Sequence, residues 1–347
     1  MKYESTTGGE GGWRLRNGLH LRRRDLRVGL WLVAIIAALA LLSLAVGAAT
    51  LSPGDLFRDG LSSEQAYALW QVRLPHIVLG FMVGWCVALA GAVMQSITHN
   101  PLADPGLFGV SQGAMTSIVL LQVFFPAAPK AAVALAGLAG GLTIAVLLTA
   151  LVGRRYAGGL AMLLMGLALS SVMSAVSTFL LLYLPTEMSL SLSAWMEGSL
   201  FQASWALIAS FLPVLLLSLI AIALSGPSLR RYQVGGELAL ALGEPVGYSR
   251  PLLMALSVLL SAAAVTAVGP LAFLGILAPH LASFLSAPAG RARLWLSGLV
   301  GGGLVIAADS VTRAAPAGLF LPVGLSFTLM GVPLFVLTLW LRGRGRG

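Results

Sequence analysis

Long apolar segments with almost no charge recur along this sequence, and they constrain its fold more than any motif does. Of the 347 residues, 58% are hydrophobic and only 10% are charged, whereas about a quarter of the residues in a soluble domain are charged. A run of about 20 apolar residues is long enough to cross a bilayer as a helix. Because a water-soluble core could not enclose this much apolar surface, the sequence predicts an all-α membrane protein.

Hydropathy and turn residues divide the chain into ten predicted spans. Glycine and proline interrupt the eighth and ninth, which is tolerated where neighbouring helices satisfy the freed backbone. The membrane domain is expected over 28–341, after a basic arm (1–27) and before a short tail (342–347). The predicted spans are 28–51, 77–97, 107–125, 131–152, 160–184, 205–224, 251–268, 271–285, 294–308 and 322–341.

The distribution of Lys and Arg predicts the orientation of these spans. If the chain crosses the membrane ten times, 17 of the 21 cationic residues lie on the side of the N-terminus and four on the other side. Cationic loops stay in the cytoplasm, so we expect both termini there. The same asymmetry accounts for the net charge of +9 as a feature of membrane topology, with lipid and not nucleic acid as the partner.

The sequence lacks the motifs of nucleotide and metal chemistry. The only lysines are Lys2 and Lys130, and neither follows a glycine-rich phosphate-binding loop. No His, Cys or carboxylate cluster has metal-ligand spacing, and no nucleophile–base pair is recognisable. The single cysteine, Cys86, cannot form an internal disulfide. We therefore predict no catalytic residue, no metal site and no cofactor bound by this chain.

Four sequence blocks distinguish this chain from an arbitrary set of apolar helices. They are RLP at 73–75, GAVMQ with NPLADPGLFGVSQGA between 91 and 114, VGPLAFLGILAPHL at 268–281, and ADSVTR with LPVGLSFTLMGVPLF between 308 and 335. In this order, on a ten-span profile, they resemble the FecCD family of permeases from bacterial ABC importers for ferric siderophores, haem and cobalamin. The resemblance covers roughly residues 28–341.

The resemblance implies a transmembrane permease subunit in the bacterial inner membrane, with the pathway enclosed by two copies or by this chain and a paralogue. It implies a periplasmic binding protein that delivers an iron chelate, either a ferric siderophore or haem, and a cytoplasmic ATPase dimer that carries ATP and Mg. Cobalamin import by the same mechanism is an alternative. An ion-coupled secondary transporter is an alternative of another class, but such proteins usually carry charges within their spans. Here only His280 could titrate inside one.

A short polar segment is predicted to contact the ATPase. Within the expected cytoplasmic loop 225–250, residues 236–243 can form one short helix that Gly243 ends and Pro245 keeps from continuing. The resemblance implies that this helix lies in a groove of the ATPase, and an inert surface helix is the alternative. The expected contacts are Gly236, Glu237, Ala239, Leu242 and Gly243.

The fifth span carries small polar residues at helical spacing. Gly166, Ser170, Ser174 and Ser177 fall within about 120° of arc, with Met162 at the margin. Small residues serve helix packing in membranes, but a weakly polar stripe also suits a pathway wall. The residues alone favour neither interpretation over the other, and the resemblance favours the pathway.

The scarce cations of the predicted outer side form a third candidate site. The resemblance implies that Arg73 and Arg313 receive acidic residues of the binding protein, while His76 stands where the family has a third arginine. Anchoring of helix ends at lipid headgroups is the alternative. Between the second and third spans, Asn100-Pro101 and Asp104-Pro105 predict a tight turn, with Asp104 as a helix cap.

Overall fold

The computed structural model describes residues 2–5, 11–14, 20–45, 62–152, 159–286, 289–315 and 321–344. Its side chains are described from residue 23 onward, apart from 152–160, 162 and 342–344. Near the N-terminus three short strands form an antiparallel sheet in the order β1-β2-β3. These strands are β1 Lys2–Ser5, β2 Gly11–Arg14 and β3 His20–Arg22.

The rest of the described chain is helical. Eight of its helical segments are long and apolar enough to cross a membrane, and two shorter apolar helices complete the ten predicted spans. The helices are α1 Arg23–Ala45, α2 Ser63–Tyr67, α3 Leu74–Thr98, α4 Val110–Phe124, α5 Lys130–Val152, α6 Gly159–Leu181, α7 Thr186–Met196, α8 Trp205–Tyr232, α9 Gly236–Ala241, α10 Val246–Val268, α11 Leu274–Ser286, α12 Gly290–Ala314 and α13 Val323–Arg344. A π-helical turn, Ala68–Arg73, joins α2 to α3, and a 3₁₀ turn, Pro105–Phe108, precedes α4.

Several helices extend beyond the predicted spans. Helix α8 continues to Tyr232, so the first eight residues of the expected loop 225–250 are helical. Helix α1 begins at Arg23, inside the expected arm, and α13 continues to Arg344, inside the expected tail. Hydropathy ends a span at the first charges, whereas a helix continues past them. In α8 the two arginines of the last turn also favour the negative end of the helix dipole.

Helix α12 is continuous through Gly301–Gly303, where the sequence suggested an interruption. A Cβ atom on Gly301 would overlap Ala88 and the carbonyl of Gly84, both on α3. The glycines therefore allow the two backbones to approach closely, as small residues do between membrane helices. The run is a packing surface, and it does not break the helix.

Helix α3 is the centre of the bundle. It is buried along most of its length and packs against α8, α10, α11 and α12, whereas α1 lies at the periphery and is largely exposed. A Cβ on Gly91 of α3 would overlap the backbone of Gly275 at the start of α11, so this crossing also requires glycine. Cys86 is fully buried in α3, in agreement with the expectation of a thiol inside an apolar segment.

Polar contacts between helix ends gather at two opposite poles of the bundle. One pole, which we call the loop end, includes α9 and joins the start of α1 to the end of α11 and the end of α3 to the start of α12. The contacts at the loop end are Ser286 with Asp25, Arg293 with Gln95, His99 with the carbonyl of Tyr232, and Arg231 with Glu244.

The other pole, which we call the Asp309 end, holds the end of α1, the start of α3, the start of α8 and the end of α12. Its contacts are Arg73 with the carbonyl of Leu44, His76 and Arg313 with Asp309, and Trp205 with the carbonyl of Trp70. Helices α1 and α12 therefore run from the loop end to the Asp309 end, and α3 and α8 run the other way, as ten alternating crossings require. Which pole faces the cytoplasm remains a prediction from the distribution of cations.

Candidate partner-binding and transport sites

Helix α9 lies in a loop whose neighbours hold it firmly. The expected short helix is confirmed at Gly236–Ala241, followed by Gly243 in the left-handed conformation, with φ of 79°. Beneath it, Arg231 Nη1 donates a hydrogen bond of 2.5 Å to Oε2 of the buried Glu244. The hydroxyls of Tyr232 and Ser249 lie 2.8 Å apart. The end of α8 and the start of α10 thus form a fixed base for α9.

The outward surface of this loop is apolar. Leu238, Leu240 and Leu242 are 58%, 63% and 61% exposed, and Gly236, Glu237 and Gly243 are exposed as well. Ala239, by contrast, is fully buried in the main core. Our placement of Ala239 on the partner-facing surface is therefore wrong. The small side chain points into the protein, and the leucines point out.

The polar stripe on α6 is a packing surface for much of its length. A Cβ on Gly166 would lie 2.7 Å from the Cα of Phe108, so α6 touches the backbone of the 3₁₀ turn at this glycine. Ser177 is fully buried, and its Oγ lies 2.7 Å from the hydroxyl of Thr116 on α4. The expectation that Gly166 and Ser177 line a pathway is therefore wrong, because both positions are filled by this chain's own elements.

Ser170, in the middle of the stripe, borders a partly open pocket of about 230 Å³. Asp104 and Gln112 contribute to the same wall. The Oγ of Ser170 and the Oε1 of Gln112 are buried, with no hydrogen-bond partner among the described residues. Ser174 is partly exposed, and the side chain of Met162 lies outside the described residues.

The opposite face of α6 is the exposed one. Leu164 and Val172 are more than half exposed, and Ala168, Ser171 and Ala175 are exposed on the same face. A spanning helix that offers such a face is covered by lipid or by another protein chain. This face, and not the serine stripe, is the part of α6 that a second subunit could meet.

At the Asp309 end, the three predicted docking residues lie together. Nε of Arg313 donates a 2.8 Å hydrogen bond to Oδ2 of Asp309, four residues earlier on α12. Nδ1 of His76 lies 3.1 Å from Oδ1 of the same carboxylate. Arg313 also donates hydrogen bonds to the carbonyl and hydroxyl of Ser43. Asp309 is thus the shared acceptor of a buried cluster.

This cluster fastens the end of α1 to the bundle. Arg73, which is 3% exposed, donates a hydrogen bond to the carbonyl of Leu44. The last carbonyls of a helix lack intrahelical donors, and a guanidinium group satisfies them. Both arginine side chains therefore point inward, and their role in docking the binding protein stays a prediction. Sequence reasoning overlooked Asp309, although its i,i+4 spacing to Arg313 was a usable signal.

The turn between α3 and α4 returns into the bundle. Oδ1 of Asp104 accepts a 3.3 Å hydrogen bond from the Gly106 amide, which confirms the predicted cap. Oδ1 of Asn100 accepts one of 3.0 Å from the amide of Leu102. The Asp104 carboxylate packs against Gly275, where a Cβ would lie 2.5 Å from Oδ1. This contact joins the turn before α4 to the start of α11.

These features define a multi-pass, largely helical membrane protein. The chain belongs to the FecCD transport family, whose model matches residues 35–341. It is therefore a permease subunit of an ABC importer, as its relatives are.

Three similar proteins illustrate this membership. The chain is 30% identical to the Fe(3+)-citrate import system permease protein of Bacillus subtilis, over 93% of this chain and 97% of the relative. It is 33% identical to the vitamin B12 import system permease protein of Salmonella schwarzengrund, over 91% and 95%. A metal-chelate type ABC transporter solved in an inward-facing conformation matches with a TM-score of 0.79 at 27% identity, over 91% of this chain and 99% of that one.

Proposed function

We propose that this permease passes an iron chelate across the bacterial inner membrane, from a periplasmic binding protein to the cytoplasm, with both termini and the loop end in the cytoplasm. A relative named for ferric citrate and a structural match of metal-chelate type support this cargo. A relative named for vitamin B12 makes cobalamin the second candidate.

The placement of charge supports a pathway wall without fixed charge and disfavours coupling to an ion gradient. In the described helices the charged side chains lie towards the helix ends, as Arg293 and Asp309 do, and leave the central turns uncharged. Gradient-driven carriers instead use ionisable residues within their spans. A bulky, already chelated metal can pass a wall that offers it no fixed charge.

The single observation that carries the ATP-driven mechanism is the exposed apolar surface of the loop end. Leu238, Leu240 and Leu242 project from a short helix beside Glu237, on a rigid base. An amphipathic helix of this kind suits a groove in a partner protein. We assign that groove to a cytoplasmic ATPase dimer, which binds ATP and Mg and performs the hydrolysis. We expect this chain to bind no cofactor and to contribute no catalytic residue.

The remaining partners are assigned to the other exposed surfaces. A second permease copy or a paralogue covers the exposed face of α6 around Leu164 and Val172, and lipid covers the periphery. The binding protein docks over the Asp309 end, where Arg73, His76 and Arg313 hold the surface together from beneath. Because these cations are largely buried, we expect their direct contribution to docking to be modest.

Reconstitution tests the proposed function. The permease, its ATPase and its binding protein are placed in proteoliposomes, and uptake of radiolabelled ferric citrate, ferric hydroxamate and cobalamin is measured with and without vanadate. We expect vanadate-sensitive uptake of a ferric chelate. Uptake of cobalamin alone would show that the cargo is cobalamin and not a ferric chelate. Uptake that follows a proton or sodium gradient without ATP would refute the proposal.

A further inference from the structure

The loop that carries α9 is joined to the rest of the bundle by few side-chain hydrogen bonds. Two of them stay within the loop and its flanking helices, Arg231 with Glu244 and Tyr232 with Ser249. The third comes from a distant part of the sequence, where Nε2 of His99 lies 2.5 Å from the carbonyl oxygen of Tyr232. Among the described residues, it is the one side-chain hydrogen bond the structure shows between the segment 231–249 and the residue that caps the end of α3.

His99 is held in an unusual backbone conformation at the end of α3. Its φ of 53° lies in the left-handed region, which costs a non-glycine residue energy unless the surroundings enforce it. This conformation turns the ring towards α9, so that a Cβ on Gly236 would lie 4.0 Å from Cε1 of His99. The residue is exposed, so a protein seated on α9 would cover the ring and shield its hydrogen bond from water.

The same residue begins the turn that returns into the bundle. From His99 the chain runs through Asn100 and the buried Ala103 to Asp104, which packs against Gly275 of α11. It then reaches Phe108, whose backbone touches Gly166 of α6. Eleven residues, 99–109, therefore connect the base of α9 to two membrane helices without a long flexible link.

We propose that His99 is a positioning residue that transmits movement of α9, through the turn 99–109, to α6 and α11. This inference rests on the proposed function, because the movement originates in the ATPase. When the ATPase shifts α9 and the end of α8, the hydrogen bond from His99 to Tyr232 pulls the turn along. Without that bond, α9 moves while the turn stays in place.

Two substitutions separate the hydrogen bond from the backbone conformation. His99→Asn keeps a residue that tolerates the left-handed region well, but its shorter side chain does not reach the carbonyl of Tyr232. His99→Gln restores the reach and an N–H donor, although glutamine has no special preference for that region. If the hydrogen bond transmits the movement, His99→Asn should lose the response and His99→Gln should keep it. If His99 only caps the helix, His99→Asn should keep the response and His99→Gln should lose it.

The experiment follows the response of α6 to the ATPase in the purified permease–ATPase complex in nanodiscs. Ser174→Cys places a thiol at a partly exposed position of the serine stripe of α6, away from the face assigned to the second subunit, and its rate of maleimide labelling is compared before and after vanadate trapping of Mg-ADP. We expect trapping to change this rate by about threefold or more with His99 and with His99→Gln, and by much less with His99→Asn, at equal ATPase occupancy.

Three results would overturn the inference. They are an asparagine variant that responds like the wild type, a glutamine variant that fails to recover the response, and a wild-type complex in which α6 does not respond. Failure of the proposed function is distinguishable, because the wild-type permease would then not form an ATPase complex at all.

Discussion

The two poles of the bundle differ in where the residues predicted to contact partners point. At the Asp309 end, Arg73, His76 and Arg313 point inward and meet a shared carboxylate and helix carbonyls. At the loop end, Leu240 and its neighbours point outward from a short helix, while Glu244 is buried beneath them. Polar contacts hold helices together at both poles, but at the loop end a short helix also offers an apolar surface to a partner.

The difference indicates where each pole obtains its stability. A buried carboxylate with several donors is stable only as a complete set, because removal of one member leaves the others uncompensated. Exposed leucines, by contrast, contribute little to the stability of the isolated chain, but they stabilise a complex when a partner buries them. We therefore expect substitutions at the Asp309 end to change folding, and substitutions on the outer face of the loop end to change binding.

The largest effect is expected from Asp309→Ala. The substitution removes the carboxylate that His76 and Arg313 share, and breaking a buried ion pair from one side costs about 3–5 kcal/mol. The free energy of unfolding, measured by SDS titration in mixed micelles, should fall by that amount. Glu64→Gln, at an exposed carboxylate of the same pole, is the matched control and should stay within about 0.5 kcal/mol of the wild type. Equal effects would show that the cluster does not stabilise the fold.

At the loop end, neighbouring positions of α9 should separate folding from binding. Ala239→Glu forces a carboxylate into the core, so we expect a loss of about 2 kcal/mol or more in the free energy of unfolding. Leu240→Glu changes an exposed side chain and should leave unfolding within about 0.5 kcal/mol. It should weaken ATPase binding by about 1.5–3 kcal/mol, the value of burying a leucine.

Both quantities are measurable on the same preparations, by SDS titration and by titration of the ATPase onto nanodisc-embedded permease. A Leu240→Glu variant that binds the ATPase normally would remove α9 from the interface. A stable Ala239→Glu variant would mean that the core around Ala239 opens easily.

The sequence predicted the ten helices because their apolar length leaves no alternative, but it could not predict the direction of each side chain. In α9 every second residue is leucine and the others include alanine, so hydropathy favours buried leucines. The structure reverses this order, since Ala239 is buried and Leu238 is exposed. The cause lies outside α9, in a base that admits a methyl group and in a surface we assign to a partner.

The prediction that Gly166 and Ser177 of α6 line a pathway was wrong for a related reason. The spacing of Gly166 and Ser177 defines one face correctly, but spacing cannot identify what covers that face. The answer depends on the return of the turn 99–109 into the bundle, which brings Phe108 against Gly166. The Asp104 cap was predictable because it is local, whereas the contact it positions joins residues far apart in the sequence.

The smallest effect should come from Trp205→Phe, which tests whether every polar contact at the Asp309 end is equally important. Nε1 of Trp205 donates a 2.8 Å hydrogen bond to the carbonyl of Trp70 in the π-helical turn, but both residues are partly exposed. Water can replace the lost donor, so we expect a loss of about 0.5–1 kcal/mol in the free energy of unfolding, at the low end for a hydrogen bond. Trp31→Phe, on the exposed side of α1, controls for the change of ring. A loss as large as that of Asp309→Ala would mean that the start of α8, and not the buried carboxylate, holds this pole together.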